Sequence, residues 1–259
     1  MISRWTSSLV LLLVIVFLIG PFAIIVAASL SAGETLAFPP QGVSLRWVAK
    51  VFEVESFRAS FVLSLTLAIG ATSAALALGV PAAYALSRYK IPFGETLRSI
   101  VSSPIIVPGI VVGLALLRYL VVPFGFSIFL ALFLAHTALV LPYALRVVSA
   151  SLTNLKPDIE EAAILLGASR AGAFFRIVAP NISDGLLAAL LLGFVTSFNQ
   201  VPVSLFLSGP GVQTLPIDML SYLEITYDPS VAALSTLLAL LSLAIVFLAE
   251  RFLGLTRYV

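Results

Sequence analysis

The hydrophobic residues of this chain are gathered into six long runs that are separated by shorter, more polar stretches. The runs occupy 7–29, 59–86, 98–121, 127–149, 183–207 and 230–252. A helix that crosses a hydrocarbon core of about 30 Å needs about 20 predominantly apolar residues. Each run is long enough, and the pattern therefore predicts an all-α fold, a polytopic transmembrane helical bundle of six spans.

The composition agrees with lipid, rather than water, as the solvent around most of the chain. It is 61% hydrophobic and 10% charged, whereas a soluble domain carries about 25% charged residues. A net charge of +2 is too small to indicate nucleic-acid binding, and the sequence has no cysteine for disulfides, thiolate nucleophiles or metal sites. The longest stretch outside the runs, 150–182, is too short for a soluble catalytic domain.

The positively charged residues indicate which span ends face the cytoplasm, because Lys and Arg prefer cytoplasmic loops. An inside N-terminus places ten of them on that side: Arg4, Arg88, Lys90, Arg98, Arg146, Lys156, Arg170, Arg176, Arg251 and Arg257. The outside keeps Arg46, Lys50, Arg58 and Arg118. Six spans return the C-terminus to the cytoplasm. We expect the first run to be a retained span, because it exceeds the roughly 7–15 residues of a cleavable signal.

The loop at 150–182, on the predicted cytoplasmic side, carries the most specific local pattern. Pro157 suits the first position of a helix, where its missing N–H costs nothing. Negative charge near the start favours the helix dipole, and it comes from Asp158, Glu160 and Glu161. One apolar stripe follows at i, i+3, i+4 and i+7, made of Ile159, Ala162, Ala163 and Leu166. Gly167 can end this helix in a left-handed conformation.

A second short helix is predicted over 170–178, with Ser169 as its N-cap and Pro180 as its end. The first helix is acidic at its start, which disfavours anionic lipid headgroups. Its compact alanine face suits a groove on another protein better.

The same loop resembles a known family signature. The stretch EEAAILLGASRAGAFFRIVAP is similar to the EAA signature of inner-membrane permease subunits of binding-protein-dependent ABC importers. The matching positions are Glu161, Ala162, Ala163, Gly167, Ile177 and Pro180, with Ala179 where the family usually has Leu. Further likeness extends through GVPAAYALSR at 79–88 and SGPGVQTLPIDM at 208–219.

The resemblance implies a type I ABC importer permease, MetI-like, in a bacterial inner membrane. Residues 1–58 would hold the first span and an extracytoplasmic loop, with the span wrapping a neighbouring permease, and 59–259 the permease core of five spans. The loop at 150–182 would be the coupling helix that docks into a cleft on the ATPase. Its ATPase-coupling residues would be Glu160, Glu161, Ala162, Ala163, Gly167, Ile177 and Pro180. The expected partners are a second permease of different sequence, an ATPase dimer, an extracytoplasmic solute-binding protein and membrane lipid.

ATP hydrolysis is expected on a separate chain. A P-loop needs Gly-x-x-x-x-Gly-Lys-Ser/Thr, but the three lysines, Lys50, Lys90 and Lys156, follow Ala49, Tyr89 and Leu155. We therefore expect a transport subunit rather than an enzyme, with no cofactor on this chain and ATP and Mg²⁺ on the ATPase. His136 is the only histidine, which argues against a catalytic triad or a histidine metal site.

A few polar residues within the spans are candidates for the substrate path. His136 lies in span 4 and is either functional or a neutral histidine bonded to a neighbouring helix. Asn199, Gln200 and Ser204 lie in span 5, where Gln200 and Ser204 would share a helix face at i, i+4. These side chains could line a translocation path or could form hydrogen bonds between helices.

Helix-disturbing residues also mark span 3, which begins with Pro104, Pro108 and Gly109. Gly109 and Gly113 form a small-xxx-small pair that would allow close approach of another helix. The pattern fits ordinary packing within a bundle, or a bundle that rearranges around a pathway.

The nature of the solute stays open at this point. The stretch SFNQVPVSLFLSGPGVQTLP looks closest to the polyamine, opine and phosphonate branch of the family. A polycation needs carboxylates in a low-dielectric path, but Asp184 and Glu250 lie at span ends. A zwitterionic or anionic solute, such as an amino-acid derivative, opine or phosphonate, is therefore an alternative to a polyamine. The rival class, a self-contained secondary transporter or channel, predicts intramembrane coupling carboxylates or an inverted repeat, and the sequence shows neither.

Overall fold

The computed structural model of the chain describes residues 4–253, which are almost entirely helical. The predicted positions of Arg257 and of the C-terminus lie outside the described residues. The helices are α1 (Arg4–Ser29), α2 (Arg46–Glu53), α3 (Glu55–Arg88), α4 (Gly94–Ile105), α5 (Gly109–Phe124), α6 (Ile128–Asn154), α7 (Pro157–Leu165), α8 (Arg170–Asn181), α9 (Ser183–Phe198), α10 (Leu215–Thr226) and α11 (Ser230–Leu253).

Among the residues that the structure describes, three continuous helices are long and apolar enough to cross a membrane: Ser7–Ser29, Glu55–Arg88 and Ile128–Asn154. Two bent pairs, α4 with α5 and α8 with α9, also pass this test as pairs. In α11, the apolar stretch Ser230–Ile245 is described in full, and the sequence stays apolar through the next four residues. The all-α membrane fold is thus confirmed, but spans 3 and 5 are not the continuous helices that the hydrophobic runs predicted.

Span 3, predicted as one helix over 98–121, is broken between Ile105 and Gly109, where α4 and α5 meet at 88°. Pro108 stands at the N-cap of α5 with φ −55° and ψ 123°, an extended conformation. A proline cannot donate the backbone hydrogen bond that would continue α4, and it disfavours helical geometry in the residue before it. Pro104 and Pro108 therefore end one helix and begin another at a sharp angle, rather than bending a single continuous helix.

Span 5, predicted as a helix over 183–207, ends as a helix at Phe198. Pro202 follows shortly, and the residue before a proline avoids the helical region. The side-chain amide of Asn199 donates to the Val195 carbonyl at 3.2 Å, which satisfies one acceptor of the last turn. The predicted shared helix face of Gln200 and Ser204 is therefore wrong, since both lie beyond the helix.

The chain divides into two compact units. One is Ser60–Ile217, and the other joins the residues up to Ala59 with those from Asp218 onward. In the second unit, α1 packs along α11, and α11 packs on α2. The side chains of α1 are largely exposed, and none is buried in its most apolar 18-residue stretch. Such a surface is typical of a helix that contacts lipid or a partner.

Close helix crossings build the core of Ser60–Ile217. A Cβ on Gly193 of α9 would lie 2.7 Å from a Val140 methyl of α6 and 3.0 Å from a Thr72 methyl of α3. Three helices therefore meet where only glycine fits. The core around the crossings includes Leu145, Val148, Leu152, Val178, Ile182 and Ala189, all buried.

Candidate functional site

The first helix of the 150–182 loop, α7, begins and ends as its sequence predicts. Pro157 is its first residue, with Lys156 as the N-cap. At the other end Gly167 has φ +95°, and two backbone bonds close the turn: Ala168 N–H to Ala163 O, and Gly167 N–H to Ile164 O, both at 3.0 Å. This is the Schellman arrangement, in which a glycine in the left-handed region satisfies the last carbonyls.

The apolar stripe predicted on α7 is divided between two faces, which corrects the expectation of a single stripe. Ala163 is buried, whereas Ile159, Ala162 and Leu166 are exposed. Leu165 and Leu166, at the tip, are 87% and 90% exposed. Glu160 and Ala163 are the two buried residues of α7, and they therefore define its inward face.

Glu160 and Glu161 are adjacent in sequence but face opposite surroundings. Glu161 is exposed, whereas Glu160 accepts hydrogen bonds from the Tyr84 hydroxyl and from Nε of Arg88, the latter at 3.2 Å. Sequence reasoning missed Tyr84 and Arg88, which lie in the last turns of α3. The available signal was the family-like stretch GVPAAYALSR, which contains both.

The second helix of the loop, α8, differs from its prediction at its end. Ser169 caps it as predicted, accepting from the Gly172 N–H at 3.1 Å. Pro180, however, does not end the helix, which continues to Asn181 through a π-turn at Phe174–Val178 that contains Ile177. A proline ring clashes with the carbonyl four residues back in a regular helix, and the wider turn relieves this clash.

His136 lies in a closed polar cluster. Its Nδ1 is 2.8 Å from the Ser197 hydroxyl and its Nε2 is 3.2 Å from the Ser204 hydroxyl. His136 and Ser204 are each 1% exposed. The cluster joins α6, α9 and the segment after α9, which is the geometry of interhelical hydrogen bonding rather than of an open path.

Of the residues predicted for the path, Gln200 lines a cavity of about 200 Å³. The polar side chains of its wall are neutral: Tyr143, Thr196 and Gln200. The cavity lies at the break between α4 and α5, because Ile105, Val107 and Gly109 also line it. Within the described residues its wall carries no carboxylate, and the structure brings neither Asn199 nor Ser204 to it.

A second charged site lies in the unit formed by the two ends of the chain. Nζ of Lys50 is 2.7 Å from Oδ2 of Asp228, which also accepts from the Tyr222 hydroxyl at 3.1 Å, and Oδ1 accepts from the Ser230 N–H at 2.9 Å. Burial by itself would raise the pKa of Asp228, but these hydrogen bonds outweigh it and hold the pKa below its usual value. The hydrogen bond to Asp228 likewise raises the pKa of Lys50.

Comparison with known proteins places these features in a family. Residues 75–255 match the family described as binding-protein-dependent transport system inner membrane component. The chain is 32% identical over 244 residues to the putrescine transport system permease protein PotI of Escherichia coli K12, covering 91% of this chain and 86% of that protein. It is 31% identical to the spermidine/putrescine permease protein PotC of Haemophilus influenzae, covering 81% of this chain and 82% of that protein.

Solved structures show the same fold. A bacterial ABC transporter that imports alginate superposes with a TM-score of 0.69 at 15% identity, covering 98% of both chains. An amino acid ABC transporter gives a TM-score of 0.58 at 20% identity, covering 85% of this chain and all of that one. The family match spans more than half of the chain, and the sequence relatives cover most of it; the chain therefore belongs to the binding-protein-dependent inner membrane components and is a permease subunit of an ABC importer.

Proposed function

We propose that α7 is the coupling helix through which a separate ATPase drives this permease. The supporting observation is the tip of α7, where Leu165 and Leu166 are 87% and 90% exposed beside a tightly closed Schellman turn. Two leucines on a short, rigid helix gain free energy when they are buried in a groove on a partner. Glu161, Ala162 and Gly167 belong to the same projecting surface, and Ile177 and Pro180 to the helix that supports it.

The remaining partners follow from the family. The permease would pair with a second permease of different sequence and receive solute from an extracytoplasmic binding protein. ATP and Mg²⁺ would bind to the ATPase dimer. Both termini would lie in the cytoplasm, on the side of the membrane that α7 shares.

For the solute, we propose a small polyamine such as putrescine, the substrate named for the PotI relative. The 200 Å³ cavity offers hydroxyl and amide groups that can bind an amine, and the ring of Tyr143 can face an ammonium group. One observation favours a second candidate, a zwitterionic or anionic solute such as an amino-acid derivative, opine or phosphonate. It is that the described wall of the cavity has no carboxylate to offset the charge of a polycation.

The coupling proposal is tested by co-purification in mild detergent with the ATPase encoded nearby. The wild type should retain an ATP-hydrolysing subunit, and Leu166→Asp should lose it, because the substitution places a charge in the proposed groove contact. Asn154→Asp, which adds a charge at another exposed position of the same loop, is the control and should keep it. If the wild type binds no ATPase and uptake persists without ATP, a self-contained transporter or channel becomes the better account.

The solute is tested by uptake into proteoliposomes that contain the permease pair, the ATPase and the binding protein. Labelled putrescine should accumulate only when ATP is present, and an excess of an amino-acid derivative or phosphonate should not compete. Competition by the anionic compound, without putrescine uptake, would select the second candidate.

A further inference from the structure

The inward face of α7 is buried and contains a charged residue, whereas the outward face is exposed and apolar at its tip. The docking proposed above involves only the outward face. Glu160 is 6% exposed although it lies on the first turns of a surface helix. One carboxylate oxygen accepts from the Tyr84 hydroxyl and the other from Nε of Arg88. The same Arg88 donates through Nη2 to the Leu155 carbonyl at 3.0 Å. One turn of α3 therefore holds both α7 and the residue that precedes its N-cap.

The ion pair within this group is shielded from water. The side chains of Arg88 and Glu160 are 9% and 8% exposed. A buried pair adds little net stability relative to apolar residues, but removal of one partner leaves an uncompensated buried charge. The pair therefore fixes how α7 lies on α3, because both buried charges are satisfied only in this arrangement.

Aromatic contacts join the second loop helix to the same end of α3. The ring of Tyr84 packs edge-on against Phe174 with centroids 5.0 Å apart. The Arg170 guanidinium lies 5.5 Å from the ring centroid of Tyr89. Both short helices of the loop are thus attached to the end of α3, with Glu160 76 residues after Tyr84 and Arg170 81 residues after Tyr89.

The covalent path from α6 to α7 is a two-residue linker that interrupts the helical hydrogen bonding. Leu155 and Lys156 join the two helices with ψ values of 115° and 129°, an extended linker. Because the Leu155 carbonyl of this linker accepts a hydrogen bond from Arg88, α3 holds the linker as well as α7.

We infer that Tyr84, Arg88 and Glu160, the α3–α7 tether, make α7 and the cytoplasmic end of α3 move as one body when the ATPase displaces α7. The inference rests on the proposed coupling role of α7 and names the residues that pass its movement to a membrane span. The three side chains are positioning residues, since they act through α3 and touch neither solute nor nucleotide.

The test measures the distance between α7 and the end of α3 by pulsed EPR in the reconstituted complex with its ATPase. Spin labels at Lys90→Cys and Asp158→Cys are straightforward, since both positions are exposed and the chain has no cysteine. With the tether intact, the distance distribution should be the same without nucleotide and with ATP and Mg²⁺. With Glu160→Gln it should shift or broaden on addition of ATP by about 1–2 Å or more, the scale of helix displacements in switching proteins.

Tyr84→Phe keeps the ring and removes only the hydroxyl, so it weakens the tether in a protein that still folds, and a smaller shift is expected. Glu95→Gln removes a carboxylate that is 92% exposed and should behave as the wild type. A wild-type distance that changes with ATP, or a Glu160→Gln distribution that does not, would overturn the tether while leaving the coupling role of α7 intact. Loss of ATPase binding by Glu160→Gln would assign Glu160 to docking and also overturn it. A wild type that binds no ATPase would refute the coupling role and the tether together.

Discussion

At the residue scale, Asp228 shows how one carboxylate can hold two distant parts of the chain together. It accepts hydrogen bonds from Lys50 of α2, from Tyr222 of α10 and from the backbone of Ser230 at the start of α11. A carboxylate that accepts several hydrogen bonds favours its ionised form. Its lowered pKa therefore links the folding of this unit to pH.

We predict that Asp228→Asn destabilises the protein at neutral pH and removes part of its acid sensitivity. The folded pKa of Asp228 lies below the unfolded value of about 3.9, so its stabilising contribution is present above that value. The contribution is lost as the pH falls through the folded pKa. Thermal unfolding in detergent should show a wild-type advantage at pH 7 that narrows as the pH falls below the unfolded pKa of about 3.9. An advantage that is constant with pH would contradict this assignment.

Gly113 of α5 allows the backbone of Val203 to approach closely, whereas the sequence predicted the approach of another helix. A Cβ there would lie 2.5 Å from the Val203 carbonyl oxygen. The small-xxx-small pair thus receives the backbone of the segment after α9, not a second helix. Gly109 packs against the same segment, because a Cβ there would lie 3.1 Å from a Pro202 atom and 3.2 Å from a Val203 methyl.

Gly113→Ala is therefore expected to destabilise the protein by about 1–3 kcal/mol, the usual cost of forcing extra volume into a packed site. Gly20→Ala is the matched control, because nothing lies within 4 Å of its Cβ position. The measurement is the denaturation midpoint of both variants in the same detergent. Equal midpoints would show that the segment after α9 moves away from α5 without cost.

At the element scale, the length of α7 is fixed by the turn at Gly167. An L-residue in the left-handed region costs about 1–2 kcal/mol, and Gly167 has φ +95° with no neighbouring atom to hinder a side chain. We predict that Gly167→Ala leaves the fold intact but loosens the tip of α7 and weakens ATPase binding. Ala168→Gly, at the next position, is the control. Purified ATPase should bind the immobilised Gly167→Ala variant more weakly than the Ala168→Gly variant. Equal affinities would show that the turn is not part of the docking surface.

The sequence was informative about elements that depend on neighbouring residues and silent about contacts between distant ones. The helices of α1, α3 and α6 follow from the length of apolar runs, and both ends of α7 follow from Pro157 and Gly167. The breaks at Pro108 and after Phe198 were missed although prolines and polar residues mark both places, because the length and hydrophobicity of a run alone cannot distinguish a helix from a turn. The pairing of Arg88 with Glu160 across 72 residues depends on how helices pack, which no local pattern specifies.

At the scale of the whole molecule, orientation in the membrane is the property that positive charge predicts most directly. A single cysteine introduced as Asn154→Cys, at an exposed position outside the proposed ATPase contact, should react with a membrane-impermeant maleimide in inside-out vesicles and not in intact cells. A single cysteine at Glu53, exposed in α2, should show the reverse. The absence of native cysteine makes the readout free of background. The opposite labelling pattern would place α7 outside the cell and exclude its contact with a cytoplasmic ATPase.

The length of α3 has a mechanical consequence. Its 34 residues, at a rise of 1.5 Å per residue, give a rod of about 51 Å, about 20 Å longer than the hydrocarbon core of a bilayer. Part of α3 therefore extends beyond the hydrocarbon core of a bilayer that it crosses. A tilt of about 10° around the midpoint of such a helix would carry the Arg88 end through about 4 Å, so a small rotation within the bilayer would be enough to displace the residues that hold α7.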